Sequence, residues 1–314
     1  MTRHRALPIS TPMAALSLTL GLALAGCSGA GTDTDTATSG SGTASTSASP
    51  ATSTDPLVTQ AAQEYQAYAV DQSNQLVAVV KTLTDAVRAG DLQAAQAAYA
   101  PSREPWERIE PLAGLVEEID GLVDARVDDV AGVDDPAFTG WHRLEYLLFD
   151  QNTTDGAAPF ADQLDRDIAS LNEQMPTLEV TPADVSVGAA ELIEEVSEGK
   201  ITGEEDRYSK TDLWDLNANM EGSQAAIERL TPALQQADPA LLEQINAGFA
   251  EVNATLAPLR RGDGWVLYCT ENDPYPSPRC PEVTVDQQTI NTLKAQLAGL
   301  SENVSQVAGA LNLQ

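Results

Sequence analysis

Leu76, Val79, Val80, Leu83 and Val87 stand at the spacing of one face of a helix, and Gly90 follows where such a helix would stop. That pattern, repeated down the chain, constrains the fold more than any other feature. Asp91 can cap a next helix through "LQAAQAAYAPSREPWERIEPLAGLVEEID", which Pro101, Pro105 and Pro111 should break or kink. Asp135 before Pro136 pairs an N-cap with a first-turn proline and is expected to open the helix "TGWHRLEYLLFD". Helices are also expected in "PFADQLDRDIASLNEQM", "TPADVSVGAAELIEEVSEG", "TDLWDLNANMEGSQAAIERLTPALQQ", "DPALLEQINAGFAEVNATLAPLR" and "TVDQQTINTLKAQLAGLSENVSQVAGALNL". Only 5% of residues are aromatic, and Ala, Leu and Gln abound, which favours helix over sheet. The expectation is an all-α fold of two packed antiparallel helical bundles, residues 57–176 and 182–314.

The first 56 residues read differently. "MTRHRALPISTPMAALSLTLGLALAGC" has two arginines, a short apolar run and a small-residue pair before Cys27. That is a lipoprotein leader over residues 1–26, with Cys27 as the lipidated residue and export to the outer face of a bacterial membrane. A plain signal peptide with an incidental cysteine is the alternative. Residues 27–56 are Ser, Thr and Gly with almost no large apolar side chain, the composition of a flexible tether.

The chain carries 17 Lys+Arg against 47 Asp+Glu, a net charge of −30. Removing residues 1–26 takes away Arg3 and Arg5 and no acid, so 15 bases face 47 acids and the charge becomes −32. Nucleic acid is excluded as a partner, because phosphates need a basic footprint. A negative field concentrates cations, though solubility alone explains many acidic surfaces. With Cys27 lipidated, Cys269 and Cys280 remain as a pair in an oxidising compartment. A disulfide there would pin the proline-rich "TENDPYPSPR", worth about 2–3 kcal/mol in the chain-entropy model. A two-cysteine metal site is the rival.

The two histidines are His4, in the leader, and His142. On a helix His142 and Glu145 share a face, among Trp141, Leu144, Leu147 and Leu148. Burying both without a partner is costly. An arginine could compensate, but adjacent Arg143 points elsewhere; a metal ion also could, since imidazole and carboxylate are both ligands. A hydrogen-bonded core pair is the common case for His-x-x-Glu. Acids nearby in sequence raise the metal reading: Glu107 and Glu110 in "PWERIEP", Asp124, Asp128 and Asp129 in "VDARVDD", and the acids of "TGEEDRYSKTDLWD" beside Tyr208.

"SREPWERIEPLAGLVEEIDGLVDARVDD", "DPAFTGWHRLEYLLF", "GAAELIEEV" and "ITGEEDRYSKTDLWDLNANMEGSQ" resemble the imelysin-like (peptidase M75-like) domain of the EfeO/EfeM-type iron-uptake family, over most of residues 57–314. The family signature Gly-x-His-x-x-Glu falls on Gly140, His142 and Glu145. The resemblance implies paired helical bundles. It also implies an extracytoplasmic iron-binding component working with an EfeU-like membrane ferric permease and an EfeB-like haem-dependent peroxidase. Carried over by motif, the metal ligands are His142, Glu145, Glu107 and Asp124. Glu204, Glu205, Asp206 and Tyr208 are second-tier candidates, against the alternative of a solvated acidic loop. An oxygen-rich set favours Fe³⁺, with Fe²⁺, Zn²⁺ and Cu²⁺ as alternatives.

The sequence departs from many relatives in three places. It has only the tether where they carry a cupredoxin-like domain, it has Lys210 where some have histidine, and it adds the Cys269–Cys280 loop. Two other functions stay open. A zinc metallopeptidase would suit the family's label, yet His-x-x-Glu lacks the second imidazole of His-Glu-x-x-His. Polysaccharide could stack on Trp106, Trp141, Trp214 or Trp265, although uronate polymers would need bridging cations.

Overall fold

The computed structural model describes residues 55–313; the leader, Cys27 and the tether up to residue 54 lie outside them, and its last two expected residues, Asp55 and Pro56, instead open the first helix. The described residues are mostly helical, with long irregular stretches over residues 124–139 and 266–286. Helix α1 (Pro56–Ala89) starts where Asp55 accepts from the amide of Leu57 at 2.8 Å, with Pro56 at its first position. It ends on Gly90 at φ +70°, a conformation glycine adopts without a Cβ clash. Asp91 caps α2 (Leu92–Glu107) through the amide of Ala94. The two-residue turn returns α2 antiparallel against α1, and α5 (Ala158–Gln174) packs on α1 as well.

Between α2 and α5 the elements are short. A 3₁₀ turn (Glu110–Leu115) leads into α3 (Glu117–Val123), and α4 (Gly140–Glu145) widens into a π turn over Tyr146–Asp150. α6 (Pro182–Glu198) opens with a reciprocal Thr181–Asp184 capping box. α7 (Asp212–Ala237), α8 (Pro239–Leu256) and α9 (Gln287–Ala310) follow, the last two capped by Asp238 and Asp286. α6 packs on α7 and α9, and α8 packs on α9. α7 also lies against α1 and α2, so one continuous apolar core runs through both groups of helices. A two-residue hairpin, β1 (Arg260–Arg261) with β2 (Gly264–Trp265), precedes the cysteine loop. Cys269 and Cys280 are bonded, with Cα atoms 5.3 Å apart. Among the described residues no helix is long and apolar enough to cross a membrane.

Two local expectations are corrected. α2 is not broken at Pro101 or Pro105 and continues to Glu107, where Tyr99, Arg103, Trp106 and Glu107 are buried and hold it from outside; the break falls before Pro111, at the start of the 3₁₀ turn. Asp135 does not open α4. It closes a turn by accepting from the amide of Ala137, Thr139 is extended, and the helix starts only at Gly140.

Candidate metal centre

Gly140 sets the position of α4. Its φ is +71°, and a Cβ built there would fall 2.1 Å from the carbonyl oxygen of Val123. The end of α3 and the start of α4 are therefore pressed backbone to backbone. That contact brings Asp124, which ends α3, to His142, one turn into α4: His142 Nε2 lies 3.3 Å from Asp124 Oδ1. The spacing along α4 puts Glu145 Oε2 3.2 Å from His142 Nδ1. His142 and Glu145 are buried at 2% and 0% exposure.

The connection before α7 closes the other side. Tyr208 and Ser209 point their backbone amides at Glu145 Oε1, 2.8 and 2.7 Å away, and Ser209 Oγ adds a third donor at 3.0 Å. These neutral donors fix the carboxylate and leave Oε2 facing the imidazole. Asp206 accepts from Tyr99 Oη at 3.0 Å and from Thr211 Oγ1. Glu205 Oε1 lies 3.6 Å from His142 Nε2. The disulfide loop braces this connection. Arg279 Nε donates to the carbonyl of Ser209 at 3.0 Å, Lys210 Nζ lies 2.6 Å from Asp273, and the amide of Tyr268 donates to the carbonyl of Lys210.

At the centre is a cation from α2. The guanidinium of Arg103, with no exposed surface, donates to Asp124, to Glu107, to Glu205 Oε1 at 2.8 Å and to Asp215 Oδ2 at 3.1 Å. Its Nη1 is 3.4 Å from His142 Nε2. A second buried cation, Lys200, joins Glu107 (3.0 Å) and Glu110 (2.8 Å), and Asn219 of α7 donates to the same two carboxylates. Two buried indoles wall the cluster. Trp106 Nε1 donates to Asp124 Oδ2 at 2.8 Å, and Trp141 lies beneath the Arg103 guanidinium, 5.5 Å away, its own Nε1 donating to Ser102.

Three sets of side chains bring donor atoms within 4.8 Å of one another: Asp124–His142–Glu205, His142–Glu145–Asp206, and Glu107–Glu205–Asp215. Of the four residues expected from the sequence, His142 lies in the first two sets, Asp124 in the first and Glu145 in the second. Glu107 shares Arg103 Nη2 with Glu205 and lies in a set without the imidazole. Of the second tier, Glu205 and Asp206 are buried within the cluster, so the solvated-loop alternative fails for them. Glu204 pairs with Arg126 at 3.2 Å, and the Tyr208 ring packs on Tyr146 while its amide serves Glu145. Sequence reasoning missed Arg103, Lys200, Asp215 and Asn219. Spacing offered a signal, since Arg103 and Glu107, like Asp215 and Asn219, are four apart and share a helical face.

A cavity of about 420 Å³ opens onto this cluster, touching Asp124 and Glu205 and walled by Glu110, Asp120 and Glu195. Its charged lining is acidic apart from Arg126. Burial would raise the Asp124 carboxyl, but Arg103 and the bond from His142 hold it well below the usual range. Glu205 is likewise lowered despite burial, by Lys200 and His142. Burial pushes Asp206 up to about 6, with Glu145 adding to it, and pushes Asp120 up to about 7, with Asp124 adding to it. Burial and Arg103 pull His142 down, yet its bonds to Asp124, Glu145 and Glu205 leave it well above the usual imidazole value.

These shifts set a pH dependence. Asp120, Asp206 and His142 hold protons in the folded chain that the unfolded chain releases at about 3.9 for aspartate and about 6.5 for histidine. The metal-free protein should therefore grow more stable as pH falls from about 8 to about 5. Asp124 and Glu205 act oppositely: their contribution is present above about 4 and lost below it, as pH falls through their folded values. Calorimetric scans should give a higher Tm at pH 5.5 than at pH 8. A Tm that falls steadily over that range would contradict the assignment.

Comparison with known proteins adds the lineage. The imelysin (peptidase M75) family model matches residues 61–307. Over 254 residues the chain is 45% identical to the iron uptake system component EfeO of Escherichia coli O157:H7, and 44% identical to those of E. coli K12 and Shigella flexneri. Each match covers 81% of this chain and 64% of the relative, so the chain spans under two thirds of those proteins.

Proposed function

The chain belongs to the imelysin family, and from that premise we propose that it captures iron outside the cytoplasm and hands it on for uptake. The single observation that carries this reading is His142, a buried imidazole with a carboxylate facing each ring nitrogen. As cargo, Fe³⁺ suits the set best, because hard oxygen donors outnumber nitrogen; Fe²⁺, Zn²⁺ and Cu²⁺ are alternatives. The ion would sit at Nε2, held by His142, Asp124 and Glu205, with Glu145 on Nδ1 orienting the ring; the set His142, Glu145 and Asp206 offers the alternative seat at Nδ1. Glu107 acts through its bond to Arg103. Because His142 is held protonated, capture expels a proton, so uptake should weaken as pH falls.

On this reading Cys27 anchors the protein to the outer face of the cell membrane and residues 28–54 act as the tether. The recipients would be an EfeU-like ferric permease and an EfeB-like haem-dependent peroxidase. The peptidase alternative has less support: His142 is the single imidazole among the described residues, and its ring nitrogens face acids. Sugar stacking is disfavoured at Trp106 and Trp141, which are fully buried.

The test is calorimetric titration of the purified protein with ferric citrate, with Fe²⁺ under argon and with Zn²⁺, beside His142→Ala. Even partners outside the ligand shell cost about 10–100-fold in metal affinity when removed. His142→Ala should therefore weaken ferric binding on the order of 100-fold or more, with its circular dichroism unchanged. Undiminished iron binding by the folded variant would remove the site from this cluster. Zinc binding without iron binding would transfer the case to the peptidase reading.

A further inference from the structure

The oxygens that face His142 Nε2 have two claimants. Asp124 Oδ1, 3.3 Å from Nε2, is the atom that accepts from Arg103 Nη1; Glu205 Oε1, 3.6 Å from Nε2, is the atom that accepts from Arg103 Nη2. An ion bound by Nε2 and these oxygens must take them from the guanidinium. Arg103 cannot yield by losing its proton, since arginine stays charged in proteins. It can yield by moving. It already holds Glu107 through Nη2 and Asp215 through Nε, and Asp215 Oδ1 is buried without a hydrogen-bond partner. An orphaned buried carboxylate oxygen is costly and calls for an explanation. Its place beside Arg103 makes it a second seat for the displaced guanidinium.

Resting on the iron-capture reading, we propose that Arg103 is a resident counter-cation that competes with the cargo ion for Asp124 and Glu205 and so sets which cations the site admits. The cost of displacing it falls on every ion alike. Ions that grip carboxylates weakly then stay below occupancy even when abundant, while an ion that binds them strongly still enters. The same competitor waits beside a loaded site and helps release the cargo, since it retakes the oxygens as the ion leaves. Without Arg103 the carboxylates would hold any multivalent cation more tightly and give it up more slowly.

The experiment uses the full chain. Arg103→Gln is combined with Asp215→Asn, which removes the cation together with a carboxylate that it neutralises; Asp215→Asn alone is the control. Ferric citrate and Ca²⁺ are titrated, and iron release to a chelator is timed. The paired variant should bind ferric iron at least tenfold more tightly than the control, release it more slowly by a similar factor, and take up Ca²⁺ at about millimolar levels where the control does not. A purely structural arginine predicts the reverse, weaker binding in the variant. If the paired variant does not fold, Arg103→Lys keeps the charge with fewer donors, and it should tighten ferric binding severalfold. Equal or weaker binding in the folded variant overturns the inference. His142→Ala in the wild-type background separates the two failures. Iron binding that ignores His142→Ala defeats the capture site itself; iron binding that needs His142 but does not tighten without Arg103 defeats only the competitor.

Discussion

Gly140→Ala should cost about 3 kcal/mol or more of folding stability, the range reserved for substitutions with a specific steric or electrostatic cause. Two terms add. The left-handed conformation at φ +71° penalises any Cβ by roughly 1–2 kcal/mol. The added carbon also meets the Val123 carbonyl oxygen at 2.1 Å and the Val123 Cα at 2.7 Å. Those are backbone atoms and cannot rotate away as a side chain can, so α3 or α4 must shift. Val123 is followed by Asp124, so any shift that relieves the clash moves a carboxylate off His142. Urea unfolding should give a lower midpoint with an unchanged slope. A loss under about 1 kcal/mol would show that the two backbones are not held in contact.

Arg103→Ala is the second large effect. The guanidinium is shared by Asp124, Glu107, Glu205 and Asp215, all buried or nearly so. Removing one partner of a buried ion pair costs about 3–5 kcal/mol, because the other charge is left uncompensated. Here four carboxylates lose a partner, and the cations left near them are Lys200, His142 and Arg126, which donates to Glu205 Oε2 at 3.1 Å. The cost should shrink in acid. Burial already holds Asp215 and Glu110 well above the usual carboxylate range, so these groups can neutralise themselves by taking protons. The Tm gap between wild type and variant should therefore be wide at pH 8 and narrower at pH 5.5. A gap that is small and flat with pH would mean that the cluster is already neutral around Arg103.

Much of the fold was legible because helix ends are written locally. Gly90, Asp91, Thr181–Pro182 and Asp238–Pro239 all stand at helix ends where the sequence started or stopped a helix, whereas Asp55–Pro56, read as tether, opens α1. The helical class followed from spacing alone. The start of α4 did not, since the Asp135–Pro136 signal fits a turn as well as a helix, and only the press against Val123 decides. His142 and Glu145 were visible as an i,i+3 pair, whereas the cation beside them was not. The neighbouring arginine, Arg143, spends its guanidinium on the Val133 carbonyl and the Phe160 ring. The arginine that enters the site is 39 residues from His142 and 112 from Asp215. Contacts at that range come from packing, which no local pattern encodes. Glu205 and Asp206 rank only as second-tier candidates in the sequence because loops rich in charge are usually exposed; here they are buried against Arg103 and Tyr99 of α2, His142 of α4 and Asp212 of α7.

The two indoles that wall the cluster turn it into its own optical gauge. Trp106 and Trp141 are fully buried, their rings 6.3 Å apart, one bonded to Asp124 and the other beneath Arg103. Their emission comes from a dry environment next to the two groups most affected by an arriving ion. A paramagnetic ion bound beside His142 would quench that emission, while a closed-shell ion would alter it only through the displaced charge. Trp214 packs on Gly264 and Trp265 lies under Arg260. Fluorescence can thus follow loading and unloading in the unlabelled protein, and it separates the arrival of iron from the departure of the guanidinium.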